Sequence, residues 1–152
     1  MFIPTAAINA GAIGVLHKCM HDLLKCGIPE ENITVYDLHK MMPLDRLKQF
    51  DVVYICGGNT KYLLERINEQ GFHEVLKEYM KNDGIVIGVS AGSIIAAQNL
   101  DHNLGLLHCR LNVHCMSGQA TGNLDISLCK EINLTDNQAI YLTDIDCASI
   151  IE

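Results

Sequence analysis

"IVIGVSAGSIIAA", residues 85–97, is the most explicit stretch of the chain. A continuous aliphatic run meets a serine bracketed by small residues, and a second apolar run follows. The first run is short and unalternating, as in a strand buried on both faces. The second reads as a helix leaving that strand. Gly88-Val89-Ser90-Ala91-Gly92 fits G-x-S-x-G in the strand-to-helix context that gives the pattern its chemistry. Glycines at 88 and 92 let strand and helix approach closely, because neither carries a Cβ. The amide of Ala91, at the helix start, would face a developing oxyanion. The same composition also suits a plain packing turn. Taken alone, the pentapeptide leaves both readings open.

Outward from this stretch the chain alternates strands and helices. "MFIPTAA" begins as an apolar strand. "GAIGVLHKCMHDLLKCGI" places Ile13, Leu16, Met20, Leu23 and Leu24 at helical spacing, with Gly27 as a stop. "NITVYDL" reads as a strand, and "PLDRLKQF" as a short helix entered at Pro43. "DVVYICGGNT" is a strand ending in Gly57-Gly58. "KYLLERINEQG" and "FHEVLKEYMKNDG" are helices closed by Gly71 and Gly84. The pattern predicts an α/β fold with a mostly parallel sheet flanked by helices. After residue 100 it changes. "LHCRLNVHC" and "EINLTDNQAIYLTDIDCASIIE" predict a short β-rich C-terminal segment, with "TDN" and "TDID" as turns. No linker or repeat divides residues 1–152, so a single α/β domain is expected.

Composition narrows the function classes. Apolar residues make up 49% and charged residues 19%, as in a globular chain. A formal net charge of −7 disfavours nucleic acid as a partner. No apolar run approaches the ~20 residues that span a membrane, and the N-terminus lacks a basic signal-peptide region. Seven cysteines, an odd count without a CxxC, fit a reduced cytoplasmic chain better than a disulfide framework.

A serine nucleophile needs a base. His102, His108 and His114 lie downstream, and residue spacing alone does not choose among them. "CGGNT", residues 56–60, ends one strand and opens a helix, so it should neighbour Ser90 at the carboxyl edge of the sheet. Gly57 or Gly58 could then offer a second oxyanion amide. The alternative for Asn59 or Thr60 is an ordinary helix cap. A zinc site built on His108, Cys109, His114 and Cys115 is disfavoured, because an extended strand sends the two cysteines opposite the two histidines. Cys56 as nucleophile is a weaker reading than a buried apolar thiol.

"FIPTAA", "DVVYICGGNTKYLLERI", "GIVIGVSAGSIIAA" and "LGLLHCRLNVHC", in that order, resemble the dipeptidase E / cyanophycinase group of serine peptidases, which have the class I glutamine amidotransferase-like fold. The resemblance covers most of residues 2 to 115. It implies a hydrolase of small peptides with no metal or organic cofactor. Ser90 corresponds to the nucleophile and His114 to the base. The amides of Gly58 and Ala91 correspond to the oxyanion donors, and Asn59 and Thr60 would line the substrate pocket beside Gly57. Asp101 is the only carboxylate between Ser90 and His114, so it is the candidate orienter. The group usually has a further strand and helix before "FIPTAA". A chain short at this end is expected to cover its exposed sheet edge with a second copy, as a homo-oligomer. The stretch "CMSGQATGNLDISLCK" lacks the arginine by which aspartyl dipeptidases read substrate, which puts that specificity in doubt. The rival expectation is a degenerate member that keeps the pocket and binds a small ligand or protein without turnover.

Overall fold

The computed structural model describes residues 1–127, 129–144 and 147–152. The chain forms two compact units, Met1–Gly92 and Ser93–Glu152.

In the first unit, β1 (Phe2–Ile3), β2 (Val52–Ile55) and β3 (Ile85–Gly88) make a parallel sheet in the order β1-β2-β3. Phe2 pairs with Tyr54 across the first ladder, and their rings stack with centroids 5.6 Å apart. The helices are α1 (Ala10–Lys25), α2 (Leu44–Leu47), α3 (Thr60–Glu69) and α4 (Phe72–Lys81). Helices α3 and α4 bury Leu63, Leu64 and Ile67, and Phe72, Leu76 and Tyr79. These sit at i, i+1, i+4 and i, i+4, i+7 spacings, on the stripe of an amphipathic helix. Each large side chain so removed from water contributes about 1.5–3 kcal/mol. In α1 only Cys19 is fully buried. Leu16, Met20 and Leu23 pack beside it against Phe2 and Cys56, whereas Ile13 and Leu24 of the expected stripe face solvent.

"NITVYDL" does not form the expected strand. It makes a single bridge, Val35 to Phe2, with the Phe2 amide donating to Thr34 O and the Tyr36 amide to Phe2 O. The reason lies in its neighbour. β1 ends before Pro4, which has no N–H to donate, so little strand is available to pair. Pro43 also stands one place earlier than expected, as the N-cap of α2.

The expected helix "AGSIIAAQNL" shortens to α5 (Ala91–Ile94). Later carbonyls of this segment take other donors. Ile95 O accepts from the Leu104 amide, and Ala96 O from the amides of Leu106 and Leu107. Those bonds satisfy backbone groups that a longer helix would have used.

In the second unit, β4 (Arg110–Asn112) and β6 (Glu131–Asn133) pair in parallel. β5 (Gly122–Leu124), β7 (Ala139–Asp144) and β8 (Cys147–Ile151) form an antiparallel sheet in the order β5-β8-β7. The core of this unit gathers Leu107, Cys109, Leu111, Ile126, Ile132 and Ile150. The β-rich segment is therefore present, with β7 and β8 pairing antiparallel as consecutive strands, while β4 and β6 pair in parallel across the intervening β5. The "TDN" turn forms, closed by the Gln138 amide on Thr135 O at 3.3 Å. The "TDID" turn includes Ile145 and Asp146, which lie outside the described residues. Among the described residues, no helix is long and apolar enough to cross a membrane.

Candidate active site

Register brings two glycine-rich turns together in the first unit. β2 and β3 pair with Ile55 opposite Gly88, so "CGGNT" and "VSAG" leave the same end of adjacent parallel strands. A Cβ built on Gly57 would stand 3.0 Å from Ser90 Cβ and 3.6 Å from Ser90 Oγ. The serine side chain thus lies directly against the Gly57 backbone. One built on Gly92 would stand 2.3 Å from Ile55 O, too close for any side chain. Glycine at 92 is what allows α5 to start against β2.

The Val89 amide continues the ladder by donating to Ile55 O at 2.9 Å, and the Gly92 amide turns back to Val89 O at 2.9 Å. Between them Ser90 has φ +50°, a left-handed conformation that residues with a Cβ seldom adopt. The bonds on either side hold the strained serine on a tight turn between β3 and α5. Ala91 is the first residue of α5 and is fully buried.

Gly58 has φ +139°, and a Cβ there would stand 2.1 Å from Ala6 O. The next amide, of Asn59, donates to the same Ala6 carbonyl at 2.8 Å. The loop after β1 is in this way fastened onto the Gly57-Gly58 turn. Asn59 is the N-cap of α3, its Oδ1 accepting from the Tyr62 amide at 3.0 Å. Thr60 is the first residue of that helix. Cys56, just before the turn, is fully buried, and burial pushes its thiol well up, with Cys19 adding to the effect. Such a thiol stays protonated near neutrality and is a poor nucleophile.

His114 belongs to the second unit. It follows β4 with φ +60°, again left-handed. Its Nδ1 lies 2.5 Å from Oδ1 of Asp136. The contact follows from the β4–β6 register. Asn112 lies opposite Asn133, and the ladder continues past the strand ends through the Leu134 amide on Asn112 O and the Cys115 amide on Leu134 O. Those bonds bring the 113–115 and 134–136 segments side by side. Asp101 lies in an exposed turn. The carboxylate found on the His114 ring is that of Asp136, which sequence reasoning does not single out. Its one signal is the "TDN" turn. Among the described residues, no group of three or more His, Cys, Asp or Glu is arranged to hold a metal ion.

Two units each present a strained residue with chemistry to offer. The profile of peptidase family S51 matches residues 1–106, which include the whole of the Gly57–Gly58 and Ser90 turns. This chain belongs to peptidase family S51. His114 and Asp136 lie beyond the matched segment. A peptidase of Pasteurella multocida, "Uncharacterized peptidase PM1590", is 33% identical over 103 residues, covering 66% of this chain and 49% of the other. "Uncharacterized peptidase YgaJ" of Bacillus subtilis is 46% identical over 93 residues, 61% of this chain and 40% of the other. "Peptidase E" of Shewanella amazonensis is 28% identical across 81% of this chain and 56% of its own length. The chain therefore spans about half the length of these curated relatives. The crystal structure of a "Putative Peptidase E Protein" from Listeria monocytogenes EGD-e superposes with a TM-score of 0.68 at 19% identity. That match covers 99% of this chain and 83% of the Listeria chain, and it establishes the shared fold.

Proposed function

We propose that this S51 chain is a serine peptidase acting on small peptides, with Ser90 as nucleophile and His114 as base. The observation that carries the reading is Ser90 itself. It has a left-handed backbone between β3 and α5 and lies against Gly57, in the G-x-S-x-G geometry of a nucleophile elbow. The class I glutamine amidotransferase-like arrangement is part of the same reading. Ser90 Oγ attacks the peptide carbonyl carbon while His114 Nε2 takes its proton. The amides of Gly58 and Ala91 hold the resulting oxyanion. The C–N bond then breaks as His114 returns the proton to the leaving amine. Water, deprotonated by the same imidazole, hydrolyses the acyl-Ser90 ester. Gly57, Asn59 and Thr60 line the substrate side of the turn.

A reducing, cytoplasmic setting belongs to this proposal, supported by an odd cysteine count without a CxxC pair. So does self-association. β3 is the outer strand of the three-stranded sheet, and a second copy pairing along it would cover that edge, with Ile85 and Ile87 exposed on one face of the strand. Sedimentation of the purified protein tests that part, and a strict monomer contradicts it.

The catalytic reading is tested by incubating the protein with a panel of small peptides and measuring amine release. Turnover by the parent chain and its loss in Ser90→Ala are expected. Equal turnover in both proteins, or none in either, would remove the proposal and leave ligand binding without turnover as the reading.

A further inference from the structure

We infer that Asp136, and not Asp101, is the positioning residue for His114. The inference rests on the reading of His114 as a base, and it deepens that reading by naming the group that sets the tautomer. An imidazole serves as a base toward a hydroxyl through a bare nitrogen, so its other nitrogen must carry the proton. A carboxylate accepts only, so Asp136 at 2.5 Å from Nδ1 keeps the proton on Nδ1 and leaves Nε2 as the acceptor.

Three features hold the pair. The parallel β4–β6 register sets Asn112 against Asn133, and their side chains bond at 2.8 Å. The ladder then runs on through the Leu134 amide on Asn112 O and the Cys115 amide on Leu134 O, bonds whose Asn112 and Cys115 ends flank His114 in sequence. Asp136 stands in the turn that follows β6, and that turn is pinned. The Thr135 amide donates to Gln138 Oε1 at 3.2 Å, and Gln138 Nε2 donates to Gln119 O at 2.8 Å. Finally, His114 keeps a left-handed backbone at φ +60°. A conformation of that kind persists where surrounding bonds over-determine it, and such residues cluster at functional sites. Both side chains remain largely open to solvent, with 62% and 75% exposure, so the pair directs the ring without desolvating it. A carboxylate that serves a serine triad sets the tautomer and orientation of its histidine, and Asp136 takes that role.

The test uses the full chain labelled with nitrogen-15. Long-range proton–nitrogen correlation spectra, taken where the ring is neutral, report which nitrogen of His114 carries the proton. The Nδ1–H tautomer is expected in the parent protein and in Asp136→Glu, with mixing or reversal in Asp136→Asn. An Nε2–H tautomer in the parent protein overturns the inference. So does an unchanged spectrum in Asp136→Asn, or a tautomer released by Asp101→Asn instead. In parallel, the rate of covalent labelling by a fluorophosphonate should fall about 10²-fold or more in Asp136→Asn and recover in part in Asp136→Glu. A parent protein that shows the Nδ1–H tautomer but never labels would end the peptidase proposal and leave the positioning role standing. Normal labelling with an unshifted tautomer would do the reverse.

Discussion

Ser90 keeps φ +50°, where a Cβ costs about 1–2 kcal/mol relative to glycine. That strain supplies a test free of any substrate. Ser90→Gly relieves it, whereas Ser90→Ala keeps the Cβ and the strain. Ser90→Gly should therefore be about 1 kcal/mol more stable than Ser90→Ala by urea denaturation, the reverse of the order in a regular helix or strand. An alanine variant at least as stable as the glycine variant would contradict the strained turn. At this scale the sequence is informative where chemistry is local. G-x-S-x-G names the serine, and the glycines at 58 and 92 stand where a Cβ would strike Ala6 O and Ile55 O. His114 is proposed through its resemblance to the family's strand. Its left-handed backbone is not, because nothing in "LNVHC" demands a positive φ there.

The elements follow from periodicity and break where tertiary bonds compete with it. Helices α3 and α4 are readable because their apolar stripes repeat over ten residues each. The helix after Ser90 is not, since bonds from Leu104, Leu106 and Leu107 take its carbonyls from a distance. The strand expected at residues 32–38 fails for a related reason, as its partner β1 has only two residues. Asp136 shows the same limit most plainly. It is 22 residues from His114, and only the parallel β4–β6 register joins them. Local rules predict a turn at "TDN" but not what lies beside it. One element-level assignment can be measured directly. Asn59 caps α3 through its side chain, so Asn59→Ala should lower stability by about 1 kcal/mol and Asn59→Asp by much less. Equal losses in the two variants would show that the cap bond is not what Asn59 contributes.

At the scale of the whole molecule, the buried thiols and phenols push in one direction. Burial is the largest cause for Cys56, Cys109, Tyr36, Tyr54 and Tyr79, and in each case the folded chain holds its proton to higher pH than an ordinary group. The unfolded chain loses these protons first, from about pH 8.5 for thiols and about pH 10 for phenols. In that range it binds fewer protons than the folded chain, so stability falls as pH rises. The contribution is fully present below the unfolded thiol value and drains away above it. The urea midpoint should thus drop steadily above about pH 9, and less steeply in a Cys56→Ala variant. A midpoint that is flat or rising through this range contradicts the buried, protonated thiols. Function places a different demand on the molecule. The family match ends at residue 106, the histidine follows it, and the chain spans about half the length of its curated relatives. What matters most for function is that the turn between β3 and α5 makes Ser90 reactive. Treatment with a fluorophosphonate, followed by peptide mass mapping, tests it most directly. One phosphonyl adduct per chain is expected, on the Ser90 peptide, and none in Ser90→Ala. A folded parent protein that takes up no adduct, or takes it up equally in Ser90→Ala, would contradict it.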